Sequence, residues 1–315
     1  ALRKAAPDAH ITMLVDEKLK DVVLFNPYLD EVVTIDKKGR DNSILSLWAC
    51  SRHLSKLDFD VLINLHPNER CSFIDAMTSV KLRTGTTHKI FKWFWDVFTP
   101  LDRSMHAADM YLDVLQQLGV QDLSNNGLEI FPGEEHFLEA ELFWQEQNIT
   151  DQDKLIGFNI GSAVPTKRWP PERFAEVADI FAAKGYKTVF FGGPMDEEMV
   201  AEATGYMQTR PIIATGHFAI GGLAAAMRRC CLIITNDSGP MHVAISQKVP
   251  IVAMYGPSNP KLYGPYTKDA VIVTAQPPCQ GCADGMKHSC DDLQCMSRMT
   301  VEQVVAAADT IMLNK

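Results

Sequence analysis

The stretch from Ile233 to Pro265 constrains the fold more tightly than any other part of the chain. Cys231 to Thr235 is a short apolar run rich in β-branched residues, the composition of a strand buried on both faces of a parallel sheet. Asn236, Asp237, Ser238 and Gly239 make a tight polar turn. Pro240 follows where a first helical residue loses nothing by lacking an N–H. Met241 to Ser246 continues as helix, and Val249 to Met254 reads as the next strand. A strand, a turn and a helix start leave backbone N–H groups and the positive end of a helix dipole facing outward, which is an anion site. His242 in the first turn is placed to donate to a phosphate oxygen. Asp237 and Ser238 also suit simple helix capping, and a lone strand-turn-helix does not decide between the two.

The run Asn236, Asp237, Ser238, Gly239, Pro240, Met241, His242 is followed by Tyr255, Gly256, Pro257, Ser258, Asn259, Pro260. This order resembles the nucleotide-diphosphate site of the ADP-heptose:lipopolysaccharide heptosyltransferases, glycosyltransferase family nine. A second block supports the resemblance: Gly157 to Ala163, then Thr166, Lys167, Arg168, Trp169 and Pro170, then Phe174. It covers nearly the whole chain and is strongest from Leu155 to Val304. It implies an α/β GT-B fold, two Rossmann-like doubly wound parallel-sheet domains facing a central cleft. The implied activity is inverting transfer of heptose from ADP-heptose to the inner core of lipopolysaccharide, with no cofactor and no metal. The implied donor-binding residues are Ser162, Ala163, Lys167, Glu197, Phe218, Asp237, Ser238, Gly239, Pro240 and His242.

The residues support several of these roles separately. Gly161, Ser162 and Ala163 form a small-residue loop that lets backbone approach phosphate. Lys167 supplies a point charge to a diphosphate. A carboxylate beyond a strand end, here Glu197, can accept from a ribose hydroxyl, although acidic residues also suit a first helical turn. Phe218 offers a flat apolar face to a base, with core packing as its rival.

Composition bounds the rest. With 315 residues, 46% of them hydrophobic, the chain is long enough for two α/β domains with full cores. A net charge of −9 argues against a general nucleic-acid binder. No apolar run approaches the roughly 20 residues of a spanning helix, and no signal peptide is visible. Cytoplasm is the default, on the inner face of the membrane if the acceptor is a glycolipid.

Ala1 to His10 reads as the end of a helix. The family opens with a strand and a Gly-containing loop that carries its catalytic base. The resemblance therefore implies that both lie ahead of Ala1, and no residue here is assigned as base. Strands are expected at Ile11 to Val15, Val32 to Ile35, Val61 to Asn64 and Val80 to Thr84. Helices are expected at Ser43 to Leu57 and Ser72 to Met77, the first with apolar Ile44, Leu45, Leu47, Trp48 and Leu54. This alternation predicts a parallel, doubly wound sheet. Ligands bind beyond the carboxyl ends of such strands, where His66 and Asn68 stand, although polar residues there also close loops. Residues 81–106 carry Lys81, Arg83, Lys89, Lys92 and Arg103 against Asp96 and Asp102, interleaved with Phe91, Trp93, Phe94, Trp95 and Phe98. This patch suits an anionic lipid surface, or an ordinary packed helix with snorkelling lysines. The implied acceptor contacts are His66, Lys89, Lys92 and His106, with His106 also suited simply to start its helix.

Residues 120–153 are expected to connect the domains with an edge strand and a helix from Glu135 to Gln147. The boundary falls near Thr150, giving an acceptor domain over 1–150 and a nucleotide-sugar domain over 151–315. The last helix, Val301 to Leu313, is expected to cross back onto the first domain. Cys279, Cys282, Cys290 and Cys295 suggest zinc or a disulfide pair. Their gaps of seven and four residues match no standard finger, so free thiols are the expectation. The implied partners are a nucleotide sugar, an anionic lipid-A-linked glycolipid and the membrane surface. The alternatives are another sugar-nucleotide GT-B enzyme, whether a surface-glycan transferase or an epimerase, and a non-catalytic nucleotide-sugar-binding protein.

Overall fold

The computed structural model describes residues 1–66, 68–86, 93–100, 102, 104–275, 290 and 293–313. The chain divides into two compact units, Ala1–Asn126 and Gly127–Lys315. In the first unit, helical turn α1 (Leu2–Ala5) leads to strand β1 (Thr12–Asp16), a 3-10 segment (Glu17–Val22) and strand β2 (Glu31–Ile35). Helix α2 (Ile44–Ser55), strand β3 (Val61–Asn64), helix α3 (Glu69–Met77), strands β4 (Leu82–Gly85) and β5 (Val97–Phe98) and helix α4 (Ala107–Gln117) follow. Every strand pair is parallel, as the alternation predicts, but the strands form two sheets, β1-β2 and β3-β4-β5. One core of Ile35, Leu47, Leu54 and Ile74, with Leu14, Val33 and Phe73 against it, joins β1 and β2 to α2 and α3. Among the described residues no strand bridges β1 and β3, the place where a single doubly wound sheet would carry one.

Helix α2 starts on a capping box, with the Ser43 and Ser46 side chains answering each other's backbone N–H. Leu47 and Leu54 enter the core, whereas Ile44, Leu45 and Trp48 are 72%, 77% and 51% exposed. The apolar stripe of this helix is therefore only partly core. His66 stands exposed just past β3, and its backbone N–H donates to Asn64 Oδ1 at 2.6 Å. Asn68 caps α3 by accepting from Cys71 N at 2.9 Å. His106 caps α4, its Nδ1 accepting from Ala108 N at 3.1 Å. Trp93, Phe94 and Phe98 are exposed; Lys89, Phe91, Lys92 and Arg103 lie outside the described residues.

Behind the end of β3, the Asn64 side-chain amide donates to the buried Asp75 carboxylate, and Arg83 reaches the Asp75 carbonyl at 3.0 Å. Burial pushes the Asp75 carboxyl up to about 7, against the smaller opposing effects of the Asn64 hydrogen bond and the Arg83 charge. The folded chain then holds a proton that the unfolded chain releases near 3.8. Stability from this group is full below that value and is lost as pH rises through about 7. Urea denaturation should show a lower midpoint for this unit at pH 8 than at pH 5. Asp75→Asn should remove most of that slope and stabilise the protein at pH 8 by on the order of 2–4 kcal/mol.

The second unit opens with helix α5 (Glu134–Glu146) and strand β6 (Leu155–Asn159). Then come helix α6 (Pro171–Ala183), strand β7 (Lys187–Phe191), helix α7 (Glu197–Tyr206), strand β8 (Ile212–Ile213), helix α8 (Ile220–Met227) and strand β9 (Cys230–Asn236). Helix α9 (Gly239–Ser246), strand β10 (Ile251–Met254), helical turn α10 (Pro260–Tyr263), strand β11 (Ala270–Val273), helical turn α11 (Gln294–Ser297) and helix α12 (Val301–Leu313) complete it. One parallel six-stranded sheet runs in the order β11-β10-β9-β6-β7-β8. Helices cover both faces, which is why β6, β9 and β10 are apolar almost throughout. Phe174 and Phe181 of α6 and Val304 and Ala308 of α12 pack on one face. Phe143 and Trp144 of α5, Ala224 of α8 and Ile245 of α9 pack on the other.

Two expectations are corrected. The division falls between Asn126 and Gly127 and not near Thr150, because α5 packs on α8 and gives Phe143 and Trp144 to the second core. Among the described residues, 127–133 contain no strand. Helix α12 packs against α6 and strands β9 to β11, where its apolar face is buried.

Candidate active site

The chain lays down β6, β7 and β8 in one direction, then returns to place β9 on the other side of β6. The strand order therefore reverses between β6 and β9. In an open parallel sheet the crevice beyond the carboxyl ends of two such strands is where ligands bind. Both expected blocks arrive there, one after β6 and one after β9.

The two ends are stitched together by side chains. Asn159, the last residue of β6, is fully buried, and its Nδ2 donates to Thr235 Oγ1 at 3.1 Å and to Ser238 Oγ at 2.8 Å. Asn236, the last residue of β9, donates to the Ile160 carbonyl at 2.7 Å and accepts from Trp169 N at 3.1 Å. Trp169 is fully buried, and its indole N–H donates to the Met299 carbonyl at 3.1 Å. Arg168 Nε donates to the Ser162 carbonyl at 2.8 Å. The segment between β6 and α6 is thus fixed at both ends, and it carries Lys167.

Lys167 Nζ lies 2.7 Å from Asp237 Oδ2, with side-chain exposures of 13% and 6%. Ser258, beyond β10, donates its hydroxyl to the same carboxylate oxygen. Burial, and then the Asp237 charge, hold the nearby Tyr255 phenol well above its ordinary range. Its O–H stays protonated and donates to the Tyr263 carbonyl at 2.8 Å. The Asp237 carboxylate is therefore occupied by two protein groups, the Lys167 ammonium and the Ser258 hydroxyl.

Ser238 is the cap residue of α9, but its side chain makes no capping bond. Asn68, His106 and Asn259 do cap their helices. Pro240 has no N–H and Met241 N donates to the Ser238 carbonyl at 3.2 Å, so the amide of the first turn of α9 that no side chain caps is that of Gly239. Gly239 is exposed, and Pro240 and His242 are half-buried beside it. Ser162 is buried, its Oγ accepting from Val164 N at 3.3 Å, and Ala163 is exposed on the same loop.

On the β7 side, Glu197 begins α7 and is exposed, with its carboxylate against the Cα of Gly216. Gly216 has φ of 75°, a conformation that suits glycine. Sequence reasoning passed over Asp196, whose carboxylate accepts from Gly193 N at 2.9 Å and presses against Gly161 and Gly192 so closely that a Cβ at either would displace it. Only the adjacency of the β6 and β7 loops gives it a role. Phe218 is half-buried and packs edge-on to Phe143 with centroids 5.1 Å apart, so core packing is at least part of its work.

Among the described residues, no group of three or more His, Cys, Asp and Glu side chains is arranged to hold a metal ion. Cys295 is buried near Gly256 and Cys290 is half-buried; Cys279 and Cys282 lie outside the described residues. No helix of the described residues is long and apolar enough to cross a membrane.

A family model described as glycosyltransferase family 9 (heptosyltransferase) matches residues 47–290. The crystal structure of a family 9 glycosyl transferase from Veillonella parvula superposes with a TM-score of 0.95 at 52% identity, covering 100% of this chain and 91% of that one. The Escherichia coli ADP-heptose lipopolysaccharide heptosyltransferase II shares the fold, with a TM-score of 0.77 at 20% identity over 99% of this chain and 92% of its own. That likeness identifies the GT-B fold. Among curated sequences, lipooligosaccharide heptosyltransferase 2 of Haemophilus ducreyi is 34% identical over 42% of this chain, a match that spans only 40% of that relative. Lipopolysaccharide heptosyltransferase 3 of Escherichia coli is 22% identical over 86% of this chain and 80% of its own length.

Removing one member of a buried ion pair strands the other charge. Lys167→Met should destabilise the second unit by about 3 kcal/mol, and adding Asp237→Leu should return most of that loss. Chemical denaturation of the two single variants and the double variant checks the coupling; additive losses would contradict it.

Proposed function

The chain belongs to glycosyltransferase family 9, the heptosyltransferases, and on that premise we propose that it transfers heptose from ADP-heptose to the inner core of lipopolysaccharide with inversion. The observation that carries this reading is the nearly buried Lys167 beside the uncovered first turn of α9, at the point where the strand order reverses. Departure of ADP from the anomeric carbon builds negative charge on the diphosphate. An oriented amide and a fixed ammonium oppose that charge where it develops, and they pay no reorganisation at the moment of reaction.

In this reading the amide of Gly239, with the Ser238 and His242 side chains against the turn that Pro240 shapes, receives the diphosphate. Lys167 neutralises it, and Ser162 and Ala163 let backbone approach. Asp237 acts through Lys167. Glu197 accepts from the ribose, and the edge of Phe218 meets the adenine. The acceptor hydroxyl attacks the face opposite the nucleotide, and its proton passes to a base that we do not assign. His66 is the one proposed acceptor contact both described and exposed. His106 has its Nδ1 engaged in capping α4. The exposed Trp93, Phe94 and Phe98 support contact with the inner face of the cytoplasmic membrane, where a lipid-A-linked acceptor is held.

Calorimetric titration with ADP-heptose, and with GDP- and UDP-sugars, tests the donor. Saturable binding of ADP-heptose, competed by ADP, is expected, and Lys167→Ala should weaken it at least about tenfold. Preference for a GDP- or UDP-sugar would overturn the donor, and an unchanged affinity in Lys167→Ala would overturn the site.

A further inference from the structure

Asn159 is fully buried at the end of β6, inside the Gly157 to Ala163 block but given no role of its own by the sequence. Its Nδ2 carries two N–H groups, and they meet Thr235 Oγ1 and Ser238 Oγ at 3.1 and 2.8 Å. The Gly161 carbonyl, which can only accept, stands 3.5 Å from the same nitrogen and fits this orientation of the amide. On the other side, the Asn159 Oδ1 is buried with no partner. Leaving a buried acceptor unmade is costly. The fold bears that cost while both amide N–H groups are committed to the end of β9.

The consequence falls on Ser238. A hydroxyl that accepts from an amide N–H turns its own proton away from that donor. Ser238 makes no capping bond to α9: Pro240 has no N–H to offer, and Met241 N donates to the Ser238 carbonyl at 3.2 Å. Thr235, the other acceptor, passes its proton to the Asn236 carbonyl at 2.7 Å and so is already committed. Ser238 is half-buried, at the mouth of the crevice.

We infer that Asn159 is a positioning residue that orients the Ser238 hydroxyl as a hydrogen-bond donor for the ligand diphosphate. The inference rests on the nucleotide site proposed above. Asn159 does not touch the ligand; it acts through Ser238. A simple structural strut would support the whole pocket, whereas this arrangement serves the phosphate end alone.

Calorimetric titration of ADP and of adenosine into the wild type, Ser238→Ala, Asn159→Leu and the double variant separates the two. Each single variant should weaken ADP about tenfold, the scale of one hydrogen bond to a charged group. The double variant should bind within about twofold of either single variant, since both remove the same interaction. Adenosine, which lacks the phosphates, should bind all four proteins alike. Losses that multiply, or adenosine affinity that falls in step with ADP, would show that Asn159 does not work through Ser238. If Leu at this buried position prevents folding, Asn159→Asp keeps the shape and presents an acceptor that draws the Ser238 proton inward. Adding Ser238→Ala to Asn159→Asp should then weaken ADP no further, and a further loss would overturn the inference. A wild type that binds adenosine but gains nothing from the phosphates of ADP would instead remove the site reading on which it rests.

Discussion

The ion pair between Lys167 and Asp237 is the constraint around which the second unit is arranged. Two opposite charges with little exposure are tolerable only if each is held close to the other. They come from loops on two different strands, 70 positions apart in sequence. The stitching across the β6 and β9 ends fixes that closeness: Asn159 to Ser238, Asn236 to Ile160, and Trp169 to Asn236. Ser258 adds a third contributor from beyond β10. A cation held in this way is available to an incoming anion without being free to wander, which is the preorganisation that charge stabilisation requires.

Much of this was legible in the sequence. The β-branched runs gave the strands of the second unit, the Pro240 position gave the start of α9, and the resemblance gave Lys167 and the Ser238 turn. The partners of these residues were not legible. Nothing in one dimension says that Asp237 faces Lys167 or that Asn159 faces Ser238, because those contacts exist only once β9 returns to the side of β6. Asp196 was missed beside Glu197 for the same reason: both are acidic, and only packing against Gly161 separates them. Helix α5 was assigned to the wrong unit because sequence distance suggested a linker, whereas its aromatic face settled on α8.

The first unit follows a different balance. Its strands are parallel and its helices capped, but its core is small and its sheet is in two pieces. The central strands β6, β7, β9 and β10 of the second unit are buried nearly throughout, whereas β1 and β3 are mostly half-buried. The periodicity of α2 was correctly read as helical, yet three of its five apolar positions are turned outward. A hydrophobic pattern records that a face is apolar and not what covers it.

Trp169 carries one more implication. Its indole is anchored to the Met299 carbonyl, just ahead of α12, and Arg173 of α6 donates to the same oxygen. The lysine two residues before Trp169 is therefore moored, through a single carbonyl, to the far end of the polypeptide. A chain shortened before Met299 would lose that anchorage, leaving Trp169 held only by its backbone bond to Asn236 although no group near the ligand had been altered. The carboxyl-terminal helix thus acts as ballast for a charge it never meets.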